Sequence, residues 1–256
     1  MNTHKRRFLA ASVLGAAALL GTGAAQAWSW NWGSGERITG EGEMASERRD
    51  VSGYEAVALE SGFKVLIRQG SGHKLELRAE RNLLPYIETR VVEGSKGRTL
   101  DIQTKRGYYL STKQTPVIEI EMPTLRGVSI AGSGSIKVDP MTTQELKASI
   151  SGSGEITLNG VKSERLAMSI SGSGDIIASG SAGNLSVSVA GTGDIKAREL
   201  QAEEAKVSIA GSGDVVLAAS RQLKVSIAGS GDVAYVGNPE LSLSTAGSGK
   251  VRKLNN

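Results

Sequence analysis

One eight-residue phrase recurs seven times in this chain and limits what it can fold into. It reads SIAGSGSI at Ser129–Ile136, SISGSGEI at Ser149–Ile156 and SISGSGDI at Ser169–Ile176, then SVAGTGDI at Ser188–Ile195. SIAGSGDV follows at Ser208–Val215 and again at Ser226–Val233, and STAGSGKV closes the series at Ser244–Val251. The starts lie 20, 20, 19, 20, 18 and 18 residues apart. A fixed period in this range marks a repeat architecture, in which each unit buries its apolar face only by stacking on the next.

One unit shows how. In Leu223-Lys224-Val225-Ser226-Ile227-Ala228 the apolar residues alternate with small or polar ones, so one face of a strand points to a core. Gly229-Ser230-Gly231 then turns the chain, because glycine reaches positive φ without a Cβ clash, and Asp232-Val233 opens a second short strand. Variable segments such as Asn159–Glu164 and Ser179–Gly183 are rich in Gly, Ser and Asn, as loops are. The expected fold is all-β: a right-handed parallel β-helix-like solenoid of about seven rungs of 18–20 residues, preceded by a β-hairpin-rich segment. Seven rungs stacked at about 4.8 Å would make a rod roughly 34 Å long. The alternative is an antiparallel sandwich with each phrase as a hairpin turn. Identical phrases at near-constant spacing favour the solenoid, where equivalent positions meet the same neighbours.

Ahead of the repeats, strands and turns alternate. Phe63–Ile67 and Lys74–Leu77 flank Gly70-Ser71-Gly72, and Thr89–Val92 and Thr99–Ile102 flank another glycine-containing turn, so two hairpins are predicted. Arg81–Ile87 has room for one helical turn, limited by Pro85, and Val117–Met122 reads as a half-exposed strand ended by Pro123.

At the start, Lys5, Arg6 and Arg7 precede the apolar stretch Phe8–Gly21, and Ala25-Gln26-Ala27 has the small-x-small form of a cleavage site. Residues 1–27 therefore read as a secretory signal, 28–50 as a flexible leader, and 51–251 as one domain, with pre-repeat strands to 127 and repeats from 128. The expected location is outside the cytoplasm, in the periplasm, envelope or medium. No later apolar run is long enough for a transmembrane helix. Three of the 30 basic residues and none of the 26 acidic ones precede Trp28, leaving a near-neutral mature chain with no basic stripe. That excludes the electrostatic footprint of a nucleic-acid binder. With no cysteine and 4% aromatics, an exported chain must be held by an aliphatic core and its hydrogen-bond ladders.

Several segments together resemble a known family. Ser61-Gly62-Phe63-Lys64-Val65-Leu66-Ile67-Arg68-Gln69-Gly70 is followed by Leu83-Leu84-Pro85, then Ile120-Glu121-Met122-Pro123-Thr124-Leu125, then the ladder of SGSG(D/E) repeats. In content and order this resembles the head GIN domain family, named for autotransporter adhesins, over roughly Val51 to Val251. The resemblance implies an all-β, β-helix-like fold in exported bacterial proteins. It implies little about activity and supplies no catalytic residues.

Catalytic chemistry is thin. His73, in a turn, is the one histidine after residue 27, which leaves no partner for a histidine dyad or a His-based metal site, and thiolate chemistry is absent. The residue after each glycine corner reads Ser135, Glu155, Asp175, Asp194, Asp214, Asp232 and Lys250. Stacked in a solenoid, Glu155 to Asp232 would form an acidic ladder with like charges about 5 Å apart, and something must relieve the repulsion. Calcium bridging neighbouring carboxylates is one answer. The favoured answer is that each carboxylate accepts amide hydrogen bonds at the turn and is otherwise hydrated. No cofactor is expected beyond that cation. Trp28, Trp30 and Trp32 share one face of an extended segment and offer stacking surface for a glycan or an interface. Arg106, Tyr108 and Tyr109 form the nearest thing to a cluster of unlike residues.

The function expected is that of an exported, non-enzymatic β-solenoid presenting a repetitive surface for binding, adhesion or envelope assembly, with a glycan, a protein or an envelope component as partner. The alternative is a carbohydrate-active enzyme, a glycoside hydrolase or polysaccharide lyase, using an acidic pair on one face.

Overall fold

The strands of this chain follow directly from its period-two patterning, and the computed structural model describes residues 35–94 and 97–255. Ahead of the repeats lie β1 (Glu36–Thr39), β2 (Met44–Arg49), β3 (Ala56–Leu59), β4 (Lys64–Gln69) and β5 (Lys74–Glu80). A 3₁₀ turn at Leu84–Tyr86 leads to β6 (Ile87–Gly94), β7 (Gly97–Thr104), β8 (Tyr108–Ser111) and β9 (Val117–Met122). The repeats supply β10 (Gly127–Gly132), β11 (Ser135–Val138), β12 (Thr142–Gly152), β13 (Glu155–Gly172), β14 (Asp175–Gly191) and β15 (Ile195–Gly211). They end with β16 (Val215–Gly229), β17 (Val233–Val236), β18 (Glu240–Gly247) and β19 (Val251–Lys253).

From β10 onward every inter-strand pairing is parallel, and each phrase stacks residue for residue on the next: Ser149 on Ser169, Ser188, Ser208, Ser226 and Ser244 in turn. This is the predicted parallel β-solenoid, of about six turns. Seven corners bound six complete intervals, which accounts for the difference from seven rungs. Inside run unbroken aliphatic columns, such as Ile136, Ile156, Ile176, Ile195, Val215 and Val233, each no more than 1% exposed. The variable segments expected as loops instead remain in the ladder. β13 to β16 run through them, and the one- or two-residue differences in rung length are absorbed as register shifts, as between Leu158 and Val161. Backbone groups paired above and below have no reason to leave the ladder.

The corners need glycine twice over. The first glycine of each corner lies at φ between +127° and +144°, outside the range of ordinary residues. A Cβ on Gly152, Gly172, Gly191, Gly211, Gly229 or Gly247 would also sit 2.1–2.5 Å from the carbonyl oxygen of the corner below. The stack is too close for any side chain.

The pre-repeat segment is part of the solenoid. β3 and β4 pair in parallel with β10 and β11, making Ala56–Ile67 a degenerate rung beneath the first repeat. Beneath that rung, β7 pairs with β3 and β9 with β4, also in parallel. The chain thus lays one rung, adds a second below it, and returns above to begin the repeats. This corrects the first hairpin: β9 lies between β4 and β5, parallel to one and antiparallel to the other, so Gly70–Gly72 crosses over a strand. The second hairpin, β6 with β7, forms as predicted. Part of the segment read as a leader is also structured, since β1 pairs with β8 and β2 with β5. Antiparallel β2, β5 and β6 close this end, and the Arg49 guanidinium clamps it by donating to the Leu84 carbonyl, the Ile87 carbonyl and Thr89 Oγ1. Strand β2 brings Arg49 to that point, a contact that the polar composition of residues 35–50 conceals.

Strand β5 ends at Glu80, a carboxylate only 2% exposed. Its Oε1 accepts the backbone N–H of Lys113 at 2.8 Å and of Gln114 at 3.3 Å, while Oε2 has no partner among the described residues. Burial pushes the carboxyl up, but the N–H groups of Lys113, Glu80 itself and Gln114, with the charge of Lys113, together hold it below its ordinary value. A depressed folded value stabilises the protein above the unfolded carboxylate value, about 4.3, and that contribution is lost as pH falls through the folded value. Glu80→Gln is therefore expected to melt lower than the parent at pH 7 and to lose part of the parent's decline between pH 5 and pH 3. Parallel melting-versus-pH curves for the two proteins would assign the acid sensitivity to other groups.

Candidate functional site

The solenoid places the residue after each corner in one column along one edge. Glu155 is in register with Asp175, and Asp194, Asp214 and Asp232 continue the line to Lys250. Asp175 Oδ1 accepts the backbone N–H of Asp194 at 3.3 Å, and Asp194 Oδ1 that of Asp214 at 3.0 Å. Asp214 Oδ1 accepts the N–H of Asp232 at 2.9 Å, and Asp232 Oδ1 that of Lys250 at 2.8 Å. Each aspartate thus replaces a backbone acceptor for the rung above it.

In the earlier corners a carbonyl does this work: the N–H groups of Glu155 and Asp175 donate to the Gly134 and Gly154 oxygens, both at 3.1 Å. Aspartate, with one methylene, has the reach for this Asx-type bond. The longer Glu155 instead accepts from Thr157 Oγ1. The column therefore holds all five predicted acids, but four of them form the bonded ladder. Asp214→Ala is expected to cost about 1 kcal/mol for the orphaned Asp232 N–H, and Asp214→Asn, which keeps the acceptor and removes one like charge, to melt at or above the parent. Equal losses in the two variants would show that the carboxylate charge, not the acceptor, is what the corner uses.

The other singled-out residues are scattered. Trp28, Trp30 and Trp32 lie outside the described residues. His73 is more than a solvated turn residue: its ring meets that of Tyr54 edge-on at 4.6 Å, and Nε2 lies 2.9 Å from the Tyr54 carbonyl oxygen. Burial raises the Tyr54 hydroxyl to about 12, and that hydroxyl has no partner among the described residues. Tyr108 stacks at a tilt on Tyr86, 4.7 Å away, while Tyr109 is exposed beside Gly35. Among the described residues no three His, Asp or Glu side chains gather as metal ligands.

Two surface depressions were not foreseen. The larger, about 800 Å³, lies over β4, β9, β5 and β2. Across its floor Arg48 faces Glu76, Glu76 faces Glu119, and Glu119 faces Leu66. Beside them Glu121 is bridged by Lys74 at 2.7 Å and Arg68 at 3.1 Å, and the Lys74 hydrogen bond holds its carboxyl below the ordinary value. The smaller, about 380 Å³, runs along the solenoid flank. There the columns Glu145, Arg165, Asn184, Glu204, Gln222 and Lys147, Ala167, Ser186, Lys206, Lys224 lie side by side. Glu145 pairs with Lys147 at 3.1 Å and Arg165 at 3.6 Å, the Lys147 bond being the main cause of its lowered pKa. This flank breaks the repeat: the strands are equivalent, the outward side chains are not. No short motif marks it, and only the register places residues 145 to 224 together.

The family model described as "Putative auto-transporter adhesin, head GIN domain" matches residues 53–239. A search of curated proteins gives no match. Among solved structures, a putative lipid binding protein from Parabacteroides distasonis ATCC 8503 shares 28% identity over 86% of this chain and 100% of its own, with a TM-score of 0.71. A putative adhesin from Bacteroides fragilis NCTC 9343 shares 22% over 85% and 100%, with a TM-score of 0.75. A putative adhesin from Parabacteroides merdae ATCC 43184 shares 21% over 86% and 100%, with a TM-score of 0.65. With the family model spanning most of the solenoid, the corner phrases and the degenerate rungs beneath them, the chain belongs to the head GIN domain family.

Proposed function

We propose that this chain is an exported, non-enzymatic, adhesin-like binding protein, and that its flank groove is the binding surface. The observation that carries this is the row of unlike side chains from Glu145 to Lys224 on an otherwise repetitive solenoid. The groove runs along the stacking direction through five rungs, roughly 19 Å at the usual strand spacing. Alternating carboxylates, amides and ammonium groups over a small-residue floor suit an extended, hydroxyl-rich chain, so the ligand class is a glycan. Head GIN membership and relatives named as adhesins support a binding role. Export rests on the signal-like residues 1–27, and amino-terminal sequencing of the secreted protein should begin at Trp28. No helix among the described residues is long and apolar enough to cross a membrane. A glycan array should give a defined set of positives that Arg165→Glu removes, while the like charge it sets opposite Glu145 lowers the melting temperature by no more than about 4 °C. Binding only to vesicles would move the ligand to the lipid class named for the Parabacteroides relative, and an empty array and empty vesicles would leave a scaffolding role.

The facing Glu76 and Glu119 favour one second reading, the carbohydrate-active enzyme, because residues opposite each other in an antiparallel pair bring carboxylates to glycosidase range. Turnover on a polysaccharide panel, lost in Glu76→Gln, would replace the first reading. For the aspartate ladder we favour the structural role, since each carboxylate from Asp175 to Asp232 already spends one oxygen on an amide. Millimolar calcium should leave the melting temperature unchanged, and a rise reversed by chelator would give the ladder to the cation.

A further inference from the structure

The two ends of the solenoid differ. One is closed by antiparallel strands, whereas at the other, among the described residues, β18 pairs with β16 alone and β19 with β17 alone. The core columns continue into this last rung without a cover. Leu223, Val225 and Ile227 are 0–2% exposed, but Leu241 and Leu243, directly above the first two, are 42% and 51% exposed. A row of backbone N–H and C=O groups and two leucines therefore face outward together. Natural edges are blunted with proline, lysine or bulges. Here Pro239 stands before β18, and Lys250, Arg252 and Lys253 stand in and beside β19, so both ends of the rung carry guards of this kind. Between them Leu241-Ser242-Leu243-Ser244-Thr245 carries none.

The charge at this end is distinctive. Residues 35–214 hold 22 basic and 24 acidic side chains, while residues 215–256 hold five basic and two acidic. The ladder itself stops here, with Lys250 where an aspartate would offer its oxygen to a further rung. Both features oppose a second copy of this chain: two such ends would bring their basic clusters together over one short rung each, the eight residues of β18 and the three of β19. That contact falls well short of the ~1,200 Å² or more that stable pairs bury.

We infer that the open rung is a strand-acceptor site for an acidic, alternately apolar extended segment of a partner protein. Such a strand continues the main-chain ladder on β18, sets apolar side chains two residues apart on Leu241 and Leu243, and brings carboxylates to Lys250 and Arg252. If it passes the corner it carries glycine there, because each corner glycine in the stack leaves no space for a Cβ above the one below. The inference extends the binding reading to a second surface and does not depend on the flank groove.

The test uses the full chain and a fluorescein-labelled peptide, LEVSIAGSGD, which is this protein's own Leu223–Asp232 segment with glutamate in place of Lys224, so that its Leu and Val fall on Leu241 and Leu243 when its glycine reaches the corner. Anisotropy should show saturable binding, weakened at least tenfold by Lys250→Glu combined with Arg252→Glu and by raised salt. Binding should be lost in Leu243→Glu, whose melting temperature should match the parent because the side chain is already half exposed. The same peptide with its Leu and Val replaced by Ser should not bind. Arg165→Glu, the flank variant, should leave peptide binding unchanged, so failure here and failure of the glycan reading are separable. No saturation with the parent chain, or equal binding by Leu243→Glu, would overturn the proposal. A parent dimer in sedimentation that Leu243→Glu dissociates would give the edge to a second copy and overturn it as well.

Discussion

Gly211→Ala should lower stability by roughly 3 kcal/mol or more, an effect large for a single added methyl group. Two costs combine. The residue sits at φ +144°, where a Cβ is strained, for about 1–3 kcal/mol. The new carbon would also lie 2.2 Å from the Gly191 carbonyl oxygen, so two rungs must part against the bonds that join them; overpacking of this kind costs about 1–3 kcal/mol. For a chain of this size the melting temperature should fall by about 6–12 °C. Two controls separate the terms. Gly42→Ala has a positive φ, +85°, in open space, and should show the backbone cost alone. Gly72→Ala has open space and no positive φ, and should stay within about 0.5 kcal/mol of the parent. If Gly211→Ala melts with Gly42→Ala, close rung stacking is not what fixes glycine at the corners.

That contrast also shows how much the sequence discloses. The need for glycine at Gly229 follows from a turn, and so did the inward alternation of Leu223, Val225 and Ile227. Both are local properties that the repeat states many times over. The close approach between corners is a contact between residues about 20 apart, and it emerges only once the register is known. The same holds for the aspartates. Their column is legible from the period, but their acceptor role depends on which amide lies above. The pre-repeat rungs were hidden more deeply. Ser61-Gly62-Phe63 occupies the corner beside Ser133-Gly134-Ser135, as the Ser135 N–H to Phe63 carbonyl bond shows, yet it lacks the repeated phrase. Adjacent strands with a glycine turn suggest a hairpin by default, and nothing local says that Val117–Met122 will enter between β4 and β5. The flank groove was out of reach for a related reason. It gathers the variable residues that pattern reading sets aside in order to see the repeat.

The same column logic makes the second large effect depend on position rather than on chemistry. Leu146, Leu166, Leu185, Ala205, Leu223 and Leu241 stack in one inward line, with identical side chains at five of the six positions. Leu166 is 1% exposed between Leu146 and Leu185, with paired backbone on both sides. Leu166→Ala removes its buried methyl groups and leaves a cavity that two bonded rungs cannot collapse to fill, for about 3–4 kcal/mol within the usual 2–5 kcal/mol range. Leu241→Ala deletes the same atoms from a side chain already 42% exposed, with nothing stacked above it among the described residues, and should cost less than about 1 kcal/mol. Denaturant melts read the difference directly: the midpoint should fall far more for Leu166→Ala, with little change in slope for either protein. A Leu241→Ala loss as large as that of Leu166→Ala would mean that the last rung is covered in solution. The acceptor edge on β18 would then be occupied by the chain itself or by a second copy, and the peptide should fail to bind.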